Sequence, residues 1–255
     1  GQAAQNGLMC AVMALEGFKG PRHAFEGKWG FFHAYAPNAD HAKATKDLGT
    51  HWETMRLAVK PFPSCRYTHA AMDALQKIMK DEGVTADEVE AVEIGLPMTG
   101  MKIVSFPEDA KHNPESVVDG QFSMPFCAAV VLREGTMLWD HYAKHLKNPD
   151  TLALTKKVTC VNDPEVEALF PANMAGKATV KTARGTFSVL VNMPKGEPAN
   201  FMTVAEFRGK FSGLSEPYLG VDGAGRFADA IMGLETQNSV SAVLAAGKPQ
   251  AQAAE

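Results

Sequence analysis

The chain has 255 residues, of which 45% are hydrophobic and 21% charged, a balance that excludes wholesale disorder and a fibrous chain. Lys and Arg total 25 against 29 Asp and Glu, for a net charge of −4, so the basic excess that a nucleic-acid partner requires is missing. At roughly 150 residues per domain this length predicts one or two domains with a sizeable core.

Residues 3–18 carry apolar side chains at helical spacing (Leu8, Val12, Leu15, with Met9 and Met13 beside them), and Gly17 and Gly20-Pro21 close the segment. So apolar a helix at the very start requires other helices around it. A Gly- and aromatic-rich stretch (27–37) and a short polar helix (39–48) follow, then an extended run from Glu53 to Lys60 that ends at Pro61 and Pro63. Cys65 to Lys80 reads as an amphipathic helix, and Val89 to Leu96 alternates like a half-buried strand. Helices are expected over about 116–132, 137–146 and 151–157, and strands at 158–161, 177–182 and 186–193, the last two joined by Ala183-Arg184-Gly185. From Thr203 the pattern is helical again (203–212, 223–234, 238–245), and the final residues read as a tail.

This order predicts an α+β chain: residues 1–50 and 201–245 as parts of a helical domain, an α/β module inserted at 51–200, and a flexible tail at 246–255. The longest apolar run, Met124 to Leu132, is about half a membrane helix and contains Pro125, so no membrane span is expected. Cys10, Cys65, Cys127 and Cys160 lie far apart with no C-x-x-C pair, which points away from a disulfide scaffold and toward a reducing cytoplasm. The chain opens on Gly1 without a signal-peptide pattern, which suggests that it begins mid-protein.

The densest chemical cluster is Lys60-Pro-Phe-Pro-Ser-Cys-Arg-Tyr-Thr-His69. A strand end, a rigid turn and a helix N-terminus meet beside Lys60 and Arg66, the makings of a carboxylate site. Cys65, His69 and Asp73 fall four apart and share a helix face. Taken singly, these residues are as easily a solvated lysine, a capping histidine and a small buried thiol. Two further patterns are weaker. His141 and His145 are spaced like zinc ligands but lack the glutamate of H-E-x-x-H and a third ligand, so they read as a solvated helix face. Gly220 to Gly225 is similar to a phosphate loop but has neither the preceding strand nor a Lys-Ser/Thr, and reads as a turn before a helix.

The runs Lys60 to Ala74 and Gln121 to Ala129, with the weaker opening Gly1 to Gly7 and Gly17 to Pro21, resemble motifs of the MmgE/PrpD family from residue 1 to about 235. That resemblance implies a helical domain with an α/β lid and a site between them, in dimeric dehydratases, epimerases and decarboxylases. It also implies that this chain is a C-terminal portion, acting as a homodimer or with a chain that carries the N-terminal half. By resemblance Lys60 is the lysine before the proline turn, and Ser64, Cys65, Arg66 and Tyr67 belong to the polar start of the helix that faces the substrate. Cis-aconitate decarboxylases carry histidine, tyrosine and lysine where Cys65, Met124 and Gln5 stand here, so a dehydratase or epimerase is the better expectation.

The expected reaction removes a proton beside a carboxylate of a small di- or tricarboxylic acid, with no cofactor and no metal. Lys60 and Arg66 would steady the developing charge, and His69, whose ordinary pKa is about 6.5, would carry the proton. Lys60 itself is the alternative base, if burial lowers its pKa. The alternatives in other classes are a non-catalytic or regulatory subunit and, weakest, a zinc hydrolase built on His141 and His145.

Overall fold

The computed structural model describes residues 1–249. The chain divides into two compact units, Gly1–Met55 and the residues from Arg56 on.

The first unit contains helix α1 (Gln2–Leu15), helix α2 (Phe31–Tyr35) and a 3-10 turn at His41–Ala44, the only helical part of the polar helix expected over 39–48. No residue of α1 is buried, and Leu8, Val12 and Leu15 are all exposed. Aromatic contacts do the packing instead: Phe31 stacks on Tyr35 at 4.8 Å and Phe32 on His41 at 4.7 Å. Such offset ring pairs contribute roughly 1 kcal/mol each beyond the area they bury. Gly30 is the one buried residue of this unit, so it has almost no core of its own.

The second unit is an α/β layer structure. Its four-stranded mixed sheet has the order β2-β1-β3-β4, from strands β1 (Val89–Leu96), β2 (Val158–Asn162), β3 (Gly176–Thr182) and β4 (Gly185–Val191). β1 runs parallel to β2, with Ile94 opposite Cys160, and antiparallel to β3, with Ile94 opposite Ala178. A parallel pair requires a long crossover, supplied here by the helices between residues 98 and 155. β3 and β4 form a hairpin with Thr182 opposite Gly185, so Ala183 and Arg184 make the expected two-residue turn.

Helix α3 (His69–Glu82) packs on β3 and β4, and helix α7 (Met124–Glu134) on β2 and α3. Between them α4 (Met98–Val104), α5 (Glu108–His112) and α6 (Val117–Gln121) are short. The core is continuous: Met72, Leu75 and Ile78 of α3 meet Ile94 and Leu96 of β1, Ala178 and Val180 of β3, and Phe126 and Val130 of α7. Each large side chain in it contributes roughly 1.5–3 kcal/mol by leaving water. The chain is therefore α+β, with helices dominating a small sheet.

Several elements differ from the expectation. The run Glu53–Lys60 is not extended: a 3-10 turn occupies Glu53–Arg56 and irregular chain follows, with only Val59 N–H pairing at 2.8 Å with Gly196 O. The single helix expected at 116–132 is two, α6 and α7, because the Ser123 hydroxyl caps the second by accepting from Phe126 N and Pro125 sits in its first turn. Helix α8 covers only His141–His145, and α9 (Pro149–Thr155) and α10 (Pro164–Leu169) each start on a proline behind an Asn or Asp cap. The two helices expected at 203–212 and 223–234 abut as α11 (Val204–Met232), broken at Gly220, where φ is +67° and ψ 168°. Helix α12 (Val240–Ala246) follows. The expected tail lies, from residue 250 on, outside the described residues. No helix among the described residues is long and apolar enough to cross a membrane.

Candidate functional site

Within the second unit a cleft of about 750 Å³ opens beside the proline turn, inside the range of small-molecule sites. One wall is the proline turn Lys60–Pro63 with Asp73 and Gln76 of α3; another is the loop Thr136–Trp139; a third comes from Lys195, Asn200 and the α11 residues Glu206, Lys210 and Leu214. Phe62, Met137, Trp139 and Met202 make much of the lining apolar, and Lys60, Lys77, Lys195 and Lys210 bring four positive charges to it.

Lys60 stands at this cleft because Pro61 and Pro63 fix the turn that carries it. The residue is exposed, but its ammonium is anchored: Nζ donates to Ser64 O at 3.0 Å. The same carbonyl lies 3.4 Å from His69 Nε2. His69 is 2% exposed and meets Phe62 edge to face at 5.4 Å, so it sits next to a cleft wall without lining the cleft. Burial, with Lys60, Arg66 and Lys210 nearby, pushes its pKa down to about 4. The ring is therefore neutral near pH 7.

Ser64 is buried and its hydroxyl pairs with Thr68 Oγ1 at 2.8 Å. Cys65 precedes a 3-10 turn (Arg66–Thr68) instead of opening the helix, so it leaves the face that His69 and Asp73 share; its N–H donates to Gln121 O at 2.8 Å. Arg66 forms an ion pair with Glu197, which is 11% exposed, while the Arg66 Nε is buried without a hydrogen-bond partner. Tyr67 packs beside Phe170, with ring centroids 6.3 Å apart. Gln5 lies exposed on α1 of the first unit. Of the expected site residues in the second unit, then, Lys60 lines the cleft, and Ser64, Cys65, Arg66, Tyr67 and His69 do not. Met124, where decarboxylases are expected to carry tyrosine, is fully buried in the core.

Lys195, Lys210 and Trp139 are among the cleft residues that sequence reasoning did not single out as a site. Lys195 pairs with Glu206 at 3.1 Å and donates its backbone N–H to Asp73 Oδ2 at 2.7 Å. Asp73 is 9% exposed, and burial raises its carboxyl pKa above the ordinary value. No local motif marks these residues, because they reach the turn from far along the chain.

The His141/His145 pair is not a solvated face. His141 is 9% exposed and His145 fully buried, with Nδ1 at 2.8 Å from Thr151 Oγ1 and Nε2 at 2.8 Å from Glu134 Oε1. Both ring nitrogens of His145 are thus occupied in tying α8 to α7 and α9. Among the described residues no three His, Cys, Asp or Glu groups are placed to hold a metal ion.

A family model described as the MmgE/PrpD C-terminal domain matches residues 62–236, and one described as the MmgE/PrpD N-terminal domain matches residues 1–44. The boundary between the compact units falls between these two stretches. Among curated proteins, the chain is 26% identical over 257 residues to the cis-aconitate decarboxylase-like protein oryM of Aspergillus oryzae, covering 95% of this chain and 52% of that protein. It is 22% identical over 202 residues to a cis-aconitate decarboxylase of Aspergillus terreus, covering 73% of this chain and 41% of that protein. The chain spans about half the length of the curated relatives it matches. With both family models matched in order, and the C-terminal one over well more than half of its residues, the chain belongs to the MmgE/PrpD family.

Proposed function

We propose that the protein contributes to a lyase or isomerase that removes a proton next to a carboxylate of a small di- or tricarboxylic acid. The observation that carries this reading is the Lys60 ammonium, fixed by Ser64 O at 3.0 Å on the wall of a 750 Å³ cleft. Loss of the proton leaves an electron pair on carbon that spreads into the adjoining carboxylate, and a preplaced cation stabilises that charge more than it stabilises the ground state. The pair then either expels a β-hydroxyl as water, leaving an alkene, or takes a proton back on the opposite face. Loss of CO2 from a neighbouring carbon would place a pair on carbon in the same way, the reaction that the names of the Aspergillus relatives suggest. Cys65, Met124 and Gln5 favour the dehydratase or epimerase outcome, since they replace the histidine, tyrosine and lysine that the resemblance implies for decarboxylases.

For the proton, one face of α3 offers two groups. Asp73 lines the cleft, and its raised proton affinity is the direction a general base needs. His69 is neutral and has a lone pair to offer, but it is buried against Phe62 and does not line the cleft. The test incubates the protein with a panel of small di- and tricarboxylic acids, cis-aconitate included, in deuterated water, and follows deuterium uptake and product by NMR. Lys60→Met should lower turnover at least about a hundredfold, the effect of removing one preplaced charge-stabilising donor. Asp73→Asn and His69→Gln separate the two proton acceptors. Unchanged turnover in Lys60→Met overturns the reading, and acids that bind wild type but are never converted identify a non-catalytic subunit instead.

A further inference from the structure

Several lysines of the second unit find carboxylate partners: Lys195 with Glu206, Lys144 with Glu134, Lys181 with Glu90, and Lys177 with Asp163 and Glu165. Lys60 and Lys210 differ. Among the described residues no carboxylate lies within 4.0 Å of either ammonium, although both line the cleft. Backbone carbonyls hold them instead: Lys60 Nζ donates to Ser64 O at 3.0 Å, and Lys210 Nζ to Lys60 O at 2.7 Å. An ammonium has three donors, so each retains two that are oriented but unspent.

Lys210, half-buried on α11, comes from 150 residues further along and sets its charge against the backbone of the residue that carries the first charge. Burial and the Lys60 charge both hold its pKa below the ordinary lysine value. The acids nearby are already engaged. Glu206 caps its own helix through Thr203 and pairs with Lys195; Asp73 accepts from Lys195 N; Glu197 is taken by Arg66. Two like charges that line one cleft, neither with a carboxylate within 4.0 Å among the described residues and with the nearby acids engaged elsewhere, constitute an unfilled anion site.

We propose that Lys210 is a second carboxylate anchor, so that the cleft holds a diacid at both ends, one carboxylate on Lys60 and the other on Lys210. This rests on the reading of Lys60 as the first anchor. It makes substrate selection a matter of reach: a monoacid meets one ammonium, a diacid of suitable length both.

The test is calorimetric titration of the full chain with glutarate and with butyrate, a diacid and a monoacid of similar reach, in a buffer free of carboxylic acids. Wild type should bind glutarate at least about tenfold more tightly than butyrate, the effect of one added charge-assisted hydrogen bond. Lys210→Met should abolish that preference and leave butyrate unchanged, and Lys210→Arg, which retains the charge, should preserve it. Circular dichroism of each variant confirms that the fold is intact. Wild type without a preference for glutarate, or Lys210→Met weakening both acids equally or neither, overturns the proposal. If Lys60→Met weakens both acids while Lys210→Met changes neither, the second anchor fails and the first stands. If Lys60→Met changes neither, the first anchor fails and the two-ended site with it.

Discussion

Acidification should unfold this protein partly through one imidazole. His69 is 2% exposed and its pKa is held at about 4 in the fold, against about 6.5 in the unfolded chain. Between those values the unfolded state binds the proton and the native state does not, so stability is fully present above about pH 6.5 and falls as pH drops toward 4. The full difference corresponds to about 3 kcal/mol, and about 2 kcal/mol of it is lost between roughly pH 7 and pH 5. Near-complete burial means that no discount for solvent screening is needed. Asp73 acts in the opposite sense, because a carboxyl whose pKa is raised on folding loses stability as pH rises. His145, also lowered by burial, adds to the acid sensitivity. The clean measurement is therefore a difference: urea unfolding of wild type and His69→Gln at several pH values, followed by far-UV circular dichroism. The first unit has one buried residue and should add little to the cooperative transition. Wild type should lose about 2 kcal/mol more than the variant between roughly pH 7 and pH 5. Parallel pH dependence of the two would mean that His69 is hydrated or charged in the fold, and the argument from burial would fail.

Two further outcomes follow from backbone approach and from thiol burial. At Gly196, where φ is +90°, an added Cβ would lie 1.9 Å from Val59 O, whereas at Gly135, with φ +73°, it would meet nothing within 4 Å. Gly135→Ala should cost only the strain of a left-handed residue, roughly 1 kcal/mol, while Gly196→Ala should cost at least about 3 kcal/mol and lower Tm by about 6–12 °C; a shift below about 2 °C would refute the close approach. Burial pushes the Cys127 thiol up to about 12 and Cys160 up to about 11, while Cys10 is exposed. Under native conditions near pH 8 a disulfide reagent, read by peptide mass mapping, should label Cys10 at least about a hundredfold faster than Cys127 or Cys160. Equal rates would contradict the packing of α7.

The strands were the most legible part of the sequence. The alternation of Val89–Leu96 sets β1 to the residue, and β2, β3 and β4 begin within a residue of expectation, because one buried face imposes period two. Glu53–Lys60 shows the limit of that signal: its apolar residues find no face to bury, and 3-10 turn and loop result. The break between α6 and α7 was written in Ser123 and Pro125 but hidden by the apolar run that follows them. The candidate cleft was legible as far as its residues are neighbours in sequence. Lys60 and the proline turn stand together in sequence; Lys195 and Lys210 do not, and no spacing rule connects them to Lys60. His141 and His145 misled for a related reason, since Glu134 and Thr151 cover His145 from neighbouring helices.

The ties around the proline turn also bear on the order of events during folding. Arg66 to Glu197 spans 131 residues, Asp73 to Lys195 spans 122, and Lys60 to Lys210 spans 150, whereas the β3–β4 hairpin closes over a two-residue turn. Closing long loops is entropically slow, and contacts of this kind gain nothing until the intervening chain is in place. The cleft should therefore take shape late, after the hairpin and the α3–α7 layer, and in a growing chain only when α11 has left the ribosome.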